Sequence, residues 1–368
     1  GAGKPPHQEG VEVIEVGWAR IPMEFTRSYG RRAISELERL NERLNVDVVH
    51  LHCPMISWAT PQFHHCIQNI APVVSSLHGS WLGERDGLLE ASMAKEAAVW
   101  ANVNDIAIRL SAERYAKFES IAIRESSICV ANSRATKEDF DSRYNPPPNW
   151  DCEVIHWGVD TEMFRPLDIE KEEEKLNFTE IRKRFGAVSP GSKLILAVGR
   201  LAARKGYSTL IRGFSALNEE MPNTKLVIVG RGHLKRRLMR LAKSLGVEED
   251  VRIESSLSFA ELAQLYRSSD LVVYPSFYEG QGLIPLEAMA SGVPVVTVDH
   301  GPLPEMVDES VGALFTMGNI ESMVSVMREV LKTGREKGEQ GRARVLQKFT
   351  YSGNAESFEK VYIEAIKR

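Results

Sequence analysis

The feature that most constrains this chain is an alternation, repeated along both halves, of short β-branched apolar runs with longer stretches of helical period. In the first half the apolar runs are VEVIEV from Val11, VDVVHLH from Val46, PVVSSLH from Pro72 and SICVAN from Ser127. In the second they are KLILAVG from Lys193, KLVIVG from Lys225, DLVVYP from Asp270 and VPVVTV from Val293. Strands of this kind with helical stretches between them are the signature of parallel α/β units. The pattern predicts helices over 87–124 and over RATKEDFDSRY from Arg134, the latter behind a Ser133 cap, and a strand running into a turn at CEVIHWGVDTEMFRP from Cys152. The charge run DIEKEEEK over 168–175 reads as a solvated connection. At 368 residues the chain exceeds the usual single core. Two similar α/β domains are expected, over 1–165 and 176–348.

Composition excludes several function classes. A net charge of −4 with 26% charged residues gives no electrostatic footprint for nucleic acid, so no nucleic-acid partner is expected. Cys53, Cys66, Cys129 and Cys152 form no C-x-x-C pair and predict neither a disulfide framework nor a zinc site, which fits a reducing, cytoplasmic compartment. No run approaches the roughly 18 apolar residues of a spanning helix, and GAGKPPHQEG has no apolar core for a signal peptide. A soluble globular protein is the default, and a membrane, if it matters, is touched only at its periphery. The basic stretch HLKRRLMRLAKSLG from His233 does not gather its cations on one face and reads as a solvated helix. Asp139 and Asp141 satisfy D-x-D, but within a helix positions i and i+2 point apart. His50, His52 and Cys53 lack a further ligand nearby and read as core or loop residues, so no metal site is expected.

The stretch YEGQGLIPLEAMASGVPVV holds the sharper signal. Glu279 and Glu287 stand eight apart in an otherwise apolar run, where an unpaired buried charge is expensive. Pro285 is tolerated only in the first turn of the helix that Gly292 stops, which places the helix N-terminus near 282–284. Its free N–H groups face the carboxyl edge of the sheet, where open parallel sheets bind ligands and where phosphate is favoured. Glu287 lies about 7 Å further along the axis. Taken alone, either glutamate also reads as an ordinary helix residue, Glu279 favouring the dipole and Glu287 exposed or salt-bridged. At the ends of two other strands stand Arg200, Arg204 and Lys205 in VGRLAARKG, able to neutralise a diphosphate or simply to form a basic loop, and Gly230 and Gly232 in VIVGRGHL, which permit a tight turn or a close ligand approach.

In order, VGRLAARKG, VIVGRG, SSLSFAELAQLYRSSDLVVYPS, EGQGLIPLEAMASGVPVV and GPLPE resemble the nucleotide-sugar half of the retaining glycosyltransferases of family 4. Fainter matches lie at VDVVHLH, SSLHG, VANSRATKEDF and VIHWGVDTEMFRP. The resemblance implies the GT-B fold, two facing Rossmann-like domains, with the segment 349–368 returning to the first. The residues alone give that segment an amphipathic stripe of Phe358, Tyr362 and Ile366. The resemblance further implies that Arg200 and Lys205 neutralise a donor diphosphate in place of a metal, that Gly282 and Leu283 offer it main-chain N–H groups, and that Gly230 and Arg231 border the base. By the same resemblance Glu287 holds the ribose, and Glu279 and, across the cleft, His78 lie near the transferred sugar. The implied reaction is sugar transfer from a nucleoside diphosphate sugar such as a UDP- or GDP-sugar, with no further cofactor, to a hydroxyl of a sugar, lipid-linked or small-molecule acceptor. The acceptor attacks on the face from which the nucleotide leaves.

The chain departs from that pattern in places. VEVIEV takes the position of the family's second strand, so the first strand and its glycine-rich loop are expected to be absent, altered or unrecognisable. The initial GAGK matches the end of a nucleotide P-loop without the upstream strand or the following Ser or Thr, and reads as a leader or scar. Gln281 stands where an aromatic residue is common, Trp157 where Asn is common, and Pro302 where a second glycine is frequent; the first two could tune donor choice or domain closure. Trp58 and Trp81 could stack on an acceptor sugar or pack in the core. Two other readings stay open: a GT-B relative that cleaves or epimerises a nucleotide sugar, and a nucleotide-sugar-binding scaffold subunit with little activity of its own.

Overall fold

A computed structural model describes residues 9–19, 25–52, 57–96, 102–255 and 257–368. GAGK and Cys53 lie outside them. The first half runs α1 (Phe25–Leu44), β1 (Val49–His52), α2 (Thr60–Asn69), β2 (Val73–Leu77), α3 (Trp81–Met93), α4 (Val103–Glu125), β3 (Ile128–Ala131), α5 (Arg134–Tyr144) and β4 (Cys152–Val154). The second runs α6 (Glu172–Arg184), β5 (Lys193–Val198), a 3-10 turn over Ala203–Lys205, α7 (Tyr207–Glu220), β6 (Thr224–Val229), α8 (Lys235–Ser244), β7 (Val251–Glu254), α9 (Phe259–Arg267), β8 (Leu271–Tyr274), α10 (Leu283–Ala290), β9 (Val295–Val298), α11 (Leu303–Met306) and β10 (Gly312–Phe315). Two long helices close the chain, α12 (Ile320–Lys348) and α13 (Tyr351–Lys367).

The strands form two separate parallel sheets, ordered β1-β2-β3-β4 and β10-β9-β8-β5-β6-β7 among the described residues. The fold is the α/β, two-sheet architecture expected. In the second sheet the chain winds outward from β5 in both directions, so β5 and β8 are neighbours whose following loops diverge at the carboxyl edge. Such a switch point opens a crevice for a ligand.

Several sequence expectations are corrected. VEVIEV is not a strand: residues 11–19 are irregular, and Val11 and Val13 are about half exposed. Alternation predicts a strand only where a neighbouring edge supplies its hydrogen bonds, and here the first sheet begins at β1. The charge run at 168–175 is not wholly a solvated connection. It enters α6, whose first turn holds Glu172, Glu173 and Glu174 at the favourable end of the dipole, and Glu174 pairs with Arg165 and lies 3.6 Å from Arg267. The helical stretch expected from residue 87 starts at Trp81, because the Ser80 hydroxyl caps it by accepting from the Gly83 N–H at 2.8 Å. VRIE and GALF, too short and mixed to signal strands, are β7 and β10.

The C-terminal α13 returns to the first sheet, where Phe358, Val361 and Ala365 pack on Val74, Ile128 and Val130. Its buried stripe therefore differs from the predicted one: Ile366 is about half exposed, and Tyr362 turns its hydroxyl to His50 at 2.7 Å. His50 is held on its other nitrogen by Ser76, also at 2.7 Å, as an internal polar anchor.

Helix α3 joins the two halves. Leu88 and Ala91 belong to the core of the second unit. Gly79, Gly83 and Gly87 form a groove that receives Tyr278 from the loop after β8. A Cβ at Gly83 would lie 2.4 Å from the Tyr278 ring and one at Gly87 2.5 Å from its Cβ. Just beyond α3, the buried carboxylate of Glu96 accepts from the N–H groups of Ser208 and Thr209 at 2.8 and 2.6 Å. It caps α7, whose own N-cap, Gly206, has no side chain to do so. In a solvated helix Gly→Ala stabilises by up to about 1 kcal/mol. Here Gly83→Ala is expected to destabilise by about 1–3 kcal/mol, the range for overpacking, measured by denaturant unfolding. A rise in stability would contradict the seating of Tyr278 against α3.

Candidate active site

The site grows from the carboxyl ends of β5 and β8. After β8 the chain turns through Ser276, Tyr278 and Glu279 and enters α10 at Gly282, whose φ of +95° is a conformation that favours glycine. Pro285 lies in the first turn of α10 and Gly292, with φ +73°, follows its last turn, as the sequence requires. Leu283 opens the helix and is partly exposed at its N-terminus.

Glu279 lies in the loop ahead of that N-terminus with its side chain 13% exposed. It pairs with the Lys205 ammonium, accepts from the Ser276 hydroxyl at 2.5 Å and stands 3.8 Å from Arg204. Burial acts to raise its carboxyl, but the Lys205 and Arg204 charges outweigh it and hold the group below the ordinary carboxylate value. Lys205 is 8% exposed and also donates to the Tyr274 hydroxyl at 3.0 Å. Burial lowers the pKa of this ammonium against the pull of Glu279, and the positive charges of Arg204 and Arg200 act in the same direction as burial. The four charged side chains thus form one electrostatic cluster, with Arg200 on its exposed side.

Glu287 lies farther along α10, and among the described residues no cation pairs with it. The Tyr266 hydroxyl donates to it at 2.7 Å, and burial pushes its carboxyl up to about 7, the hydrogen bond only partly offsetting this. The two glutamates therefore differ in kind, Glu279 anionic inside an ion cluster and Glu287 poised near neutrality.

Gly230 is required by the backbone: a Cβ there would lie 1.9 Å from the Gly199 carbonyl, so the loops after β5 and β6 touch. Arg231 beside it turns its Nε to the Ser255 carbonyl at 2.7 Å and is exposed at the same edge.

Across the interface stands His78 at the end of β2, its imidazole 4.5 Å from the Trp157 ring and stacked on His52 at 5.5 Å between centroids. Burial, with help from His52, pushes it down to about 4, so the ring is neutral at pH 7. The Gly280 backbone packs on the His78 carbonyl, where a Cβ would come within 2.0 Å. A cavity of about 380 Å³ is lined by His78, Trp81, Glu84, Glu119, Arg204 and Glu279, so side chains of both halves face one space. Trp81 lines it while leaning on Tyr115 at 4.4 Å. Trp58, in contrast, is buried against Phe63. Glu119 is fully buried, takes the Trp81 N–H at 3.1 Å and the Tyr144 hydroxyl, and is pushed up to about 8 by burial.

Residue-by-residue reading missed what holds these groups together. Arg204 spans the interface, pairing with Glu84 of α3 at 3.0 Å and donating to the Tyr278 carbonyl at 3.3 Å. Glu305, in GPLPE, accepts from the N–H groups of Arg134 and Ala135 at 3.0 and 2.8 Å, capping α5 from the other half, and meets His156 at 2.9 Å. Asp139 faces Arg143 and Ser80, whereas Asp141 is exposed, as expected of a helix. Among the described residues no cluster of three His, Cys, Asp or Glu is arranged to hold a metal, and no helix is long and apolar enough to cross a membrane.

Two family models divide the chain between them: Glycosyltransferase Family 4 matches residues 1–163 and Glycosyl transferases group 1 matches 178–344. The chain belongs to the family 4 glycosyltransferases. It is 33% identical over 270 residues to an uncharacterised glycosyltransferase of Methanocaldococcus jannaschii, covering 73% of this chain and 62% of that one. It is 29% identical over 257 residues to the D-inositol 3-phosphate glycosyltransferase of Corynebacterium aurimucosum, covering 67% and 59%. The chain thus spans less than two thirds of the length of these relatives. Its fold is similar to that of sucrose-phosphate synthase from Thermosynechococcus elongatus, with a TM-score of 0.72 at 20% identity over 94% of this chain and 80% of that one. It is also similar to Anabaena HepE in complex with UDP-glucose, with a TM-score of 0.66 at 18% identity over 91% and 84%.

The raised carboxyl of Glu287 has a stability consequence. The folded chain holds a proton that the unfolded chain releases near 4.5, so this group's contribution to stability falls as pH rises from about 4.5 through about 7. Glu287→Gln cannot titrate, so the mutant's melting temperature is expected to gain on that of the wild type across that window. A difference independent of pH would contradict the assignment.

Proposed function

We propose that this chain is a retaining glycosyltransferase that moves a sugar from a nucleoside diphosphate sugar to an acceptor hydroxyl, with no metal or further cofactor. The observation that carries the reading is the juxtaposition, at the switch point of the second sheet, of the Lys205–Glu279 pair, exposed Arg200 and the N-terminus of α10. Cations and helix amides converging there suit a diphosphate, with Arg200 and Lys205 facing its charge and the N–H groups of Gly282 and Leu283 its oxygens. Glu287 receives the ribose hydroxyls, Gly230 and Arg231 border the base, and Glu279 and His78 flank the sugar.

The chemistry then needs orientation and charge stabilisation more than a protein base. The sugar–phosphate bond breaks as negative charge collects on the departing diphosphate, which Arg200 and Lys205 stabilise. The acceptor hydroxyl forms the new bond on the same face and gives its proton to a departing phosphate oxygen. Neutral His78 offers a hydrogen bond to a sugar hydroxyl without adding charge, and the cavity beside it has room for the acceptor. The acceptor is a sugar, lipid-linked or small-molecule alcohol, met in the cytoplasm or at the membrane periphery. That HepE was solved with UDP-glucose puts UDP first among nucleotides to try.

Arg200 and Lys205 separate binding from folding. Lys205→Ala leaves Glu279 buried without its closest cation and is expected to lower the melting temperature of the free protein, since breaking a buried pair costs about 3–5 kcal/mol. Arg200→Ala, at an exposed position, leaves that temperature unchanged. In a thermal-shift panel of UDP, GDP and ADP, one nucleotide at a hundred times its dissociation constant adds about 2.7 kcal/mol to the wild type, and Arg200→Ala loses that shift. Glu279→Ala is expected to lose about two orders of magnitude in turnover. No shift with any nucleotide, or an undiminished one in Arg200→Ala, would sink the reading.

A further inference from the structure

Gln281, in the loop after β8, and Trp157, in the segment after β4, are bonded to each other. The Trp157 N–H donates to the Gln281 Oε1 at 2.7 Å, and the Gln281 Nε2 donates to the Trp157 carbonyl at 3.0 Å. One side-chain amide thus satisfies both main-chain groups of one residue, which an aromatic side chain at 281 cannot do. Gln281 is 3% exposed, so losing either bond would strand a buried polar group.

The indole of Trp157 is the partner that orients His78. Among the described residues the buried Nδ1 of His78 has no hydrogen-bond partner, and its Nε2 reaches His52 at a long 3.4 Å. Hydrogen bonds therefore do not fix this imidazole. Ring contacts do, with Trp157 edge-on at 4.5 Å and 73° and His52 stacked at 12°. The segment after β4 that carries Trp157 is pinned on its other sides. His156 meets Glu305, its carbonyl accepts from the Asn354 amide at 2.9 Å, and a Cβ on Gly158 would lie 2.4 Å from the Thr350 carbonyl carbon.

We propose that Gln281 is a positioning residue: by clamping the Trp157 main chain it fixes the indole against His78 and so shapes the wall that meets the transferred sugar. The catalytic part of this statement rests on the transferase reading; the clamp itself does not. The arrangement couples the loop that faces the diphosphate to the imidazole in the other half, two residues beyond Glu279. It leaves the His78 imidazole aimed by ring packing. The titratable side chain whose charge acts on His78 is His52, with His50 behind it, both on β1, while Glu84, Glu119, Arg204, Tyr278 and Glu279 face it across the cavity. The loop after β8 also presents the Gly280 main chain, and the segment after β4 presents the indole.

The test is run on the full chain with two readouts. The first is the titration of the His78 imidazole by NMR, its resonance identified by its loss in His78→Gln. In Gln281→Leu the indole is released, His78 gains water, and its pKa is expected to rise from about 4 toward 6.5. Trp157→Ala is expected to raise it likewise and serves where Gln281→Leu does not fold. The second readout is donor kinetics: kcat/KM for the nucleotide sugar falls about tenfold to a hundredfold through misplacement, while the affinity for the free nucleotide changes less than about twofold. Gln281→Glu, which keeps the acceptor for the Trp157 N–H but sets a carboxylate against its carbonyl, is expected to show the same directions. An unchanged His78 titration in Gln281→Leu or Trp157→Ala overturns the clamp even if the wild type binds nucleotide. A wild type that binds no nucleotide sinks the transferase reading instead, and the NMR titration still decides the clamp.

Discussion

The buried pair of Lys205 and Glu279 is the interaction on which the rest of the site depends. Taking two charges out of water is costly, and their attraction offsets that cost only when the remaining polar atoms are also satisfied. Here Ser276 adds a hydrogen bond to Glu279 and Tyr274 accepts one from Lys205, and those residues belong to the end of β8 and the loop after it. Lys205 lies in the turn after β5, so the pair joins the loops of two adjacent parallel strands at the point where they diverge. A loop held there sets the entry into α10, and with it the direction of that helix's free N–H groups. Arg204, next in the cluster, carries the constraint across to Glu84 in the other half.

The interface between the halves repeats one device. Helix ends in one unit are satisfied by carboxylates from the other: Glu96 caps α7 and Glu305 caps α5. Each unmet N–H group at a helix start would cost free energy if buried dry. Closing the interface is therefore what completes those helices, alongside the apolar contact that Leu88 and Ala91 make with the second core. Tyr278 adds the steric counterpart, seated in a groove that exists only because Gly79, Gly83 and Gly87 lack side chains. The residues that serve the proposed chemistry and those that hold the halves together are thus neighbours along one loop, from Tyr278 to Gln281.

Much of this was legible in the sequence. The buried parallel strands were visible as continuous apolar runs, since a strand covered on both faces has no polar side to show. The N-terminus of α10 was fixed by Pro285 and Gly282, and that of α5 by Ser133, because these residues act through local backbone geometry. VEVIEV failed as a strand because a ladder needs a neighbouring edge, which no local pattern encodes. β7 and β10 were missed for the converse reason: each is a weak local sequence that becomes a strand through the partner beside it.

By itself, then, the sequence determined the α/β class, the placing of Glu279, Glu287, Arg200 and Lys205 around strand ends, and the family to which the chain belongs. The class and the placing follow from short-range rules of periodicity, capping and turn chemistry; the family follows from the resemblance that the ordered motifs carry. Only the tertiary structure decided that Glu279 is neutralised by Lys205 while Glu287 stays near its proton, because desolvation and charge pairing depend on what other segments bring within a few ångströms. Only the tertiary structure likewise decided that Gln281 grips Trp157 and that Trp157 orients His78. Residues more than a hundred positions apart meet there, and nothing in their own neighbourhoods records the contact.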